Sequence, residues 1–530
     1  MMFNSGVFVD VDLDKGTGNY IEETDSDFET AINYAGVGKF QKILLCVSGA
    51  VYATCAISST TLSFVLPSAE CDFDLSSADK GHLSAMPLVG MLFGCCLWGS
   101  LANSHGRKIA ILTSLMMDFF AAVISSLAQS YTLFLVCRFF NGFGIIGATS
   151  LIFSYMGEFL SVKHRDKYLG KLEIFWNIGV LILPGVAWAL LNKKTVKIFE
   201  DGGNFSPWRI FVLVCSLPSI ISAVLIYFLP ETPKFLMTKC KYDKAKLVFQ
   251  RIYASNTGDK MEYFPVKTLE GEDNNNSSIT SSKLNNTSYR HQMTDSISDS
   301  FKIVKNLATQ QYFKYLTITC LADFGLMASY YTLVMWFPEI FDRFSQYNQM
   351  YPNRTVSVCK VSQVNVTSRN LNNEICQPFI EDKVFLDTVI IGLSCIPTSA
   401  SLSYFMYKIG KKAVLVSSLI LSGIATLSLN WVTTANETLI VSCIFEALTS
   451  ILEAVLFCVV VDLFPTNLRA IALTITATCG RFGAIFGNIL FGALIDVNCV
   501  IPIYLFGFLL IVSGLLCVAV PRNEDYITIH

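Results

Sequence analysis

The chain has 530 residues, of which 52% are hydrophobic and only 15% charged, with a formal net charge of −2. A typical soluble domain carries roughly 25% charged residues, so this composition excludes a soluble globular protein. It fits a membrane protein with room for about twelve spans of ~20 residues plus loops. The basic residues form no nucleic-acid face, and most of the 17 cysteines fall inside apolar runs, where they read as small packing residues.

In chain order, residues 1–40 are an acidic, polar N-terminal tail. No cleavable signal peptide fits, since a basic start and a small-residue cleavage site are missing. The first apolar run therefore reads as a span with the N-terminus in the cytoplasm. Residues 41–229 hold six apolar runs, at about 41–66, 81–102, 109–128, 131–156, 168–192 and 208–229. A linker, 230–313, opens with Pro230-Glu-Thr-Pro-Lys-Phe-Leu236. Helical spacing follows over Lys244–Tyr253, with Ala245, Leu247, Val248, Ile252 and Tyr253 apolar. The Asn/Ser-rich stretch 271–289 has little to bury, and a second amphipathic piece runs from Ile303 to Tyr315. Residues 314–520 hold six more runs, at about 314–341, 384–407, 411–432, 437–462, 470–495 and 499–520, before a tail at 521–530.

Short loops on the side of the termini carry nine Lys or Arg and those on the other side four, the weakest point being the lysines at 193–197. The positive-inside bias puts both termini in the cytoplasm. The long loop 343–383 then lies outside, with glycosylation sequons at Asn353 and Asn365; a further one at Asn436 is also outside. Sequons headed by Asn275, Asn276, Asn285 and Asn286 fall inside and are expected to stay bare. Cys359 and Cys376 share the outer loop, and a bridge between them closes a ring worth roughly 3 kcal/mol. Cys71 is a third thiol on that side, able to displace either one.

An internal repeat organises the whole. Glu158-Phe-Leu-Ser-Val-Lys-His-Arg165 recurs 304 residues later as Asp462-Leu-Phe-Pro-Thr-Asn-Leu-Arg469. The same offset carries Gly106-Arg107-Lys108 onto Gly410-Lys411-Lys412, and Gly179 onto Gly483. Two halves of one membrane protein, with matching charged loops on one side, account for this. Gly99 and Gly106 permit a tight turn and close helix approach. Arg107 and Lys108 either meet helix C-terminal carbonyls or an acid, or simply anchor the inside face. Glu158, Arg165, Asp462 and Arg469 are expected to approach opposite charges near these turns as an inside latch.

Charges within the apolar runs mark candidate cavity residues. Arg138, in Arg-Phe-Phe-Asn-Gly-Phe-Gly-Ile-Ile-Gly147, costs ~3 kcal/mol or more at bilayer depth, so it faces a cavity or a partner, unless it snorkels to the interface. Glu446, Ser450 and Glu453 fall on one helical stripe, equivalent by the repeat to Gly142 and Thr149 near Arg138. Either glutamate lines a cavity, or is buried and neutral, or lies at a wet edge. Asp118, Glu173, Trp176, Asn177, Asp323, Tyr330, Tyr331 and Arg481 are further candidates, while Trp336 reads as an interface anchor. Metal-ligand spacing, a nucleophile triad and a phosphate loop are missing, so neither an enzyme nor a cofactor is expected.

The loop Gly99-Ser-Leu-Ala-Asn-Ser-His-Gly-Arg-Lys108 resembles the signature of the major facilitator superfamily. The acid-x6-arginine stretches and Pro230–Leu236 resemble its sugar-porter-like branch. Gly36-Val-Gly-Lys-Phe-Gln41, Ser63-Phe-Val-Leu-Pro-Ser-Ala-Glu70, Phe175-Trp-Asn-Ile-Gly179, Ser329-Tyr-Tyr331 and Trp336-Phe-Pro-Glu339 are more specifically similar to the synaptic vesicle glycoprotein 2 family. The resemblance implies an all-α membrane protein, twelve transmembrane helices in two pseudo-symmetric six-helix bundles, with spans one, four, seven and ten lining a central cavity. It implies a monomer in a lipid bilayer, at the plasma membrane or a vesicle membrane, moving a small organic solute by alternating access. A transporter-shaped protein that binds ligands without turnover is the alternative, and a sugar-type facilitator follows from Pro230–Leu236 alone. Asn103 stands where the signature usually has an acid, and Cys55 and Ser58 where relatives usually carry first-span carboxylates. Glu453 and Phe457 take acidic and aromatic cavity positions of the tenth span. Proton coupling needs a cavity carboxylate whose protonation follows access. Span one offers none, so Glu453 is the first candidate, Asp323 the second and Glu446 the third, with an uncoupled facilitator or exchanger as the alternative.

Overall fold

The computed structural model describes residues 28–192, 206–266, 268–269, 310–351, 359, 361 and 380–521. Among these residues, twelve helices are long and apolar enough to cross a membrane. Spans one to six are Lys39–Ser68, Ser77–His105, Arg107–Ser126, Tyr131–Gly157, Val162–Leu191 and Pro207–Phe228. Spans seven to twelve are Tyr312–Met350, Asp382–Leu402, Lys411–Ser428, Ala435–Leu463, Ile471–Asn498 and Val500–Val518. With an even number of crossings, span one begins and span twelve finishes at the same end, the termini end; the opposite one is the far end.

Local sequence decides where the spans start and stop. Span two starts in a capping box: the Ser76 hydroxyl accepts from the Asp79 N–H at 3.2 Å, and Asp79 accepts from the Ser76 N–H at 3.1 Å. Thr434 and Glu437 cap span ten in the same way. Gly106 (φ +107°) and Gly410 (φ +95°) close the helices of spans two and eight in the left-handed half of backbone space, which glycine alone enters without strain. Each is followed by a basic pair. The second residue of each pair, a lysine, donates to carbonyls at the end of the last span of its own half: Lys108 to Tyr227 at 2.7 Å, Lys412 to Val518 at 2.8 Å.

Three elements depart from the sequence expectation. Residues 28–35 are not part of a polar tail but form the helix Phe28–Ala35. Its stripe of Phe28, Ala31, Ile32 and Ala35 packs on the helix Tyr242–Thr257, with Phe28 6.0 Å from Phe249. Within that second helix Leu247 faces outward, 51% exposed. The helix of span seven continues to Met350, so the loop expected from 343 starts at 351. Its last turns stay helical because Arg343 is paired with Glu339 and Asp496 while Phe344 and Tyr347 are buried. Span ten is interrupted at Ser450–Ile451, between the helices Ala435–Thr449 and Leu452–Leu463. The stripe of Glu446, Ser450 and Glu453 is therefore not one regular helix face. The Ile303–Tyr315 piece before 310, the 271–289 stretch, Asn353, Asn365 and Cys376 lie outside the described residues.

Spans one to six pack together, as do seven to twelve. The halves meet where span two crosses eleven, five lies against eight, and the far half of span one touches seven. At the first crossing Gly81 and Gly492 face each other so closely that a Cβ on Gly81 would lie 3.0 Å from the Gly492 Cα, and one on Gly492 2.7 Å from the Gly81 Cα.

Candidate functional site

Within the first half, Asp118 of span three is a buried hub. It accepts from Ser58 of span one at 2.8 Å, Asn141 of span four at 2.5 Å and Ser219 of span six at 2.6 Å. Arg138 is 1% exposed and belongs to this interior rather than to a central cavity. Its guanidinium donates to Ser125 at 2.5 Å and lies 4.8 Å from the centre of the Phe134 ring. A buried cation needs such partners, and the charge of Asp118 acts on it as well. The neighbouring glycines bring helices into contact: a Cβ on Gly142 would strike the Pro87 carbonyl.

The seam between the halves holds a second polar cluster. Tyr52 of span one donates to Glu173 of span five at 3.4 Å and packs on Trp176 at 5.1 Å. Asn177, one residue on, donates to Ser399 of span eight at 3.0 Å, joining the halves. From span seven come Asp323, 1% exposed with both carboxylate oxygens unpartnered, and the Tyr330–Tyr331 pair, rings 5.4 Å apart. Span ten contributes Glu446, with one carboxylate oxygen buried and unpartnered, and, past the interruption, the half-buried Glu453 and Phe457. The half-buried Arg481 of span eleven completes it. The charges of Glu453, Arg481 and Asp323 act on one another, and that of Glu453 reaches Glu173 and Tyr52. The cluster thus draws on spans one, five, seven, ten and eleven. Tyr52 is the member that sequence reasoning missed; its only signal is an aromatic hydroxyl one helical turn before Cys55.

The far end is shut by buried ions from both halves. Lys80 of span two, 1% exposed, pairs with Glu70 at 2.9 Å and with Glu339 of span seven at 2.7 Å. Arg343, one turn past Glu339, binds it at 2.9 Å, Asp496 at 2.8 Å and the Ser77 hydroxyl at 2.8 Å. None of this network figured among the sequence candidates except as loop charges and a resembling motif. Trp336 is fully buried against Phe491 at 5.1 Å, so it is no interface anchor.

At the termini end the repeated charges pair within each half. Arg107 meets Glu158 at 3.1 Å, and Lys411 meets Asp462 at 2.8 Å. Arg165 donates to the Gly157 carbonyl at 3.2 Å and lies 3.9 Å from Glu29. Among the described residues Arg469 joins no such pair: Lys411 already holds both Asp462 oxygens, and the Arg469 Nε is buried without a partner. Asn103 is exposed, and a Cβ on Gly99 would meet nothing, so neither joins a contact here. Glu231, just after span six, accepts from the backbone N–H of Arg107 at 3.1 Å and of Lys108 at 3.2 Å. Burial raises its pKa, opposed by those N–H groups, that of Thr232 and the Arg107 charge.

The expected Cys359–Cys376 bridge is replaced. Cys359 bonds Cys499, in the link between spans eleven and twelve, and Cys71 is also disulfide-bonded. With the helix of span seven running to Met350, residue 359 sits over the far end of the second half, where Cys499 is buried. Asn436 is exposed on the first turn of span ten, but the hydroxyl of its sequon threonine, Thr438, is turned back on the Thr434 carbonyl at 3.0 Å.

Comparison with known proteins agrees with this architecture. The sugar (and other) transporter family matches residues 37–366, and the major facilitator superfamily matches 388–527. Human synaptic vesicle glycoprotein 2B is 26% identical over 595 residues, covering 96% of this chain and 87% of that protein. Mouse synaptic vesicle glycoprotein 2C is 28% identical, covering 96% and 82%. The inward open conformation of the xylose transporter XylE from E. coli superposes with a TM-score of 0.65 at 15% identity, covering 92% of this chain and 98% of that one. A D-xylose-proton symporter gives 0.64 at 15% identity, covering 92% and 99%. At such identity the structures speak for the fold alone: two bundles of six helices. The chain therefore belongs to the sugar (and other) transporter family of the major facilitator superfamily, a multi-pass transmembrane transporter rather than an enzyme, similar to the synaptic vesicle glycoprotein 2 proteins.

Proposed function

We propose that the protein carries a small organic solute across a plasma or vesicle membrane by alternating access, and that this structure is its state closed at the far end. The contrast between the two ends carries the reading. At the far end the halves are joined by the Lys80–Glu339 and Arg343–Ser77 contacts. At the termini end, among the described residues, the strong ion pairs Arg107–Glu158 and Lys411–Asp462 each stay within one half. A molecule that rocks about a central site needs one end to part while each half moves as a body. Both termini are cytoplasmic in this reading. It is supported by the basic loops at their end and by the Cys359–Cys499 disulfide at the other, since disulfides persist in oxidising compartments. The solute binds at the Tyr52–Arg481 seam, and the likeness to vesicle glycoproteins favours a vesicle membrane.

One observation favours the non-transporting alternative. Span one places Cys55 and Ser58 where the resemblance expects carboxylates, and the acid nearest Ser58, Asp118, is held by three hydrogen bonds. Reconstitution of the full chain in vesicles decides between them. A carrier gives saturable uptake that accelerates when the vesicles are preloaded with the same solute. Saturable binding with flux no greater than in protein-free vesicles would identify a binding protein instead.

A further inference from the structure

Four carboxylates from three spans surround the seam, Glu173, Asp323, Glu446 and Glu453, and Arg481 is the guanidinium set among them. Two of the acids are left unfinished by the protein. Both oxygens of Asp323 and one of Glu446 are buried without a hydrogen-bond partner, at side chains 1% and 5% exposed. Burying a carboxylate without a partner is costly, so these oxygens are sites for a charge or donor that the described residues do not supply. The Asp323 carboxylate lies against span eleven, where a Cβ on Gly480, beside Arg481, would strike it.

Aromatic rings wall the same seam from both halves. Tyr52 packs on Trp176 at 5.1 Å and on Phe153 at 5.0 Å, and Tyr330 faces Tyr331 at 5.4 Å. Ring faces attract cations. A neutral polyol would bring no charge to offset the buried carboxylates, and the amide of the seam, Asn177, is already taken by Ser399. An organic anion would meet the excess of carboxylates.

We propose that the solute is an organic monocation, an amine or quaternary ammonium, seated between the Tyr52–Trp176 and Tyr330–Tyr331 rings with its charge shared by Glu453 and Asp323. The assignment rests on the seam being the solute site of the carrier. Arg481 offsets part of the charge of Glu453 and Asp323 without bonding either, which leaves their oxygens to the incoming cation. A proton taken up by the same carboxylates is the competing occupant, so binding of the cation and of protons is mutually exclusive.

The test uses the full chain in vesicles, with tetraethylammonium as cation, xylose as neutral probe and benzoate as anion. Binding is read from the intrinsic tryptophan fluorescence of the Trp176 stack, and flux from radiolabel. Saturable tetraethylammonium binding that a large excess of xylose or benzoate fails to displace is expected. Glu453→Gln should weaken it by about tenfold or more, and Arg481→Gln should tighten it several-fold, each variant first shown monodisperse. The opposite directions of the two variants keep the result apart from general misfolding. Cation binding without flux supports the cation site and overturns only the carrier reading. Xylose or benzoate binding in place of the cation, no cation binding by folded protein, or affinity unchanged in both variants overturns the proposal.

Discussion

Glu231 shows how one side chain holds the termini end. It follows the last turn of span six and accepts three backbone N–H groups, those of Arg107, Lys108 and Thr232, the first two at the start of span three. A carboxylate there satisfies orphan donors and meets the positive end of the helix dipole. Burial still wins, so its folded-state pKa lies above the ordinary carboxylate value. The sign for stability follows from proton binding. The folded state holds this proton more tightly than the unfolded chain, so the contribution is complete below the unfolded value and declines as pH rises through the folded one. Glu231→Gln keeps an acceptor and removes the ionisation. The Tm of wild type relative to this variant should therefore fall as pH rises above the unfolded carboxylate value of about 4. A difference that grows with pH would reverse the assignment. Glu231→Ala, which removes the acceptor as well, should cost about 1 kcal/mol in its own right.

At the scale of elements, the far end depends on how spans two, seven and eleven meet. Lys80 reaches Glu339 across the boundary between halves, while Gly81 and Gly492 bring the backbones of two and eleven together. Removing one partner of a buried pair costs about 3–5 kcal/mol because the other charge is stranded; here Arg343 still holds Glu339, so part of that is recovered. Lys80→Met should then loosen the far end. Ser84, one turn deeper and 3% exposed, reports it: in a Ser84→Cys background, labelling by a membrane-impermeant maleimide should rise about tenfold or more with Lys80→Met. Equal labelling would show that the helix crossing alone keeps this end shut. The repeat and the spans were legible because charges and glycines that interrupt apolar runs stand out, and Gly106 and Gly410 share one backbone conformation as well as one offset. The gate was not. Lys80 lies one residue outside an apolar run and looks like a loop charge, and Gly81 looks like any glycine in a span. Arg343 looks like the start of a loop until Glu339 and Asp496 are seen around it. Arg138 was legible as a buried cation in need of partners, but which neighbour supplies them is decided by packing that no local pattern encodes. Cys499 was hidden by sitting at the seam between two apolar runs.

For the whole molecule, the pseudo-symmetry is close at the termini end, though Arg165 and Arg469 differ in their contacts. Arg107–Glu158 corresponds to Lys411–Asp462, and Lys108 on the Tyr227 carbonyl corresponds to Lys412 on that of Val518. These pairs tie each half to itself, so they persist whichever end is open. What closes the termini end has to come from groups that are idle in this state, and Asn103 is one: exposed, in the last turn of span two, the span that crosses eleven. Rocking the halves to shut this end brings that turn towards the start of span eleven, where helix N–H groups present positive charge. An amide gains little there and a carboxylate gains about 0.3–1 kcal/mol. Asn103→Asp should therefore shift the population towards the form open at the far end, by roughly twofold to fivefold. Labelling of Ser84→Cys from the far side should rise by that factor in the Asp variant, and labelling of a cysteine placed on the termini side of the seam should fall by a matching factor. If both rates rise together the variant has loosened the protein rather than rocked it, and if neither moves, span two does not meet span eleven at this end.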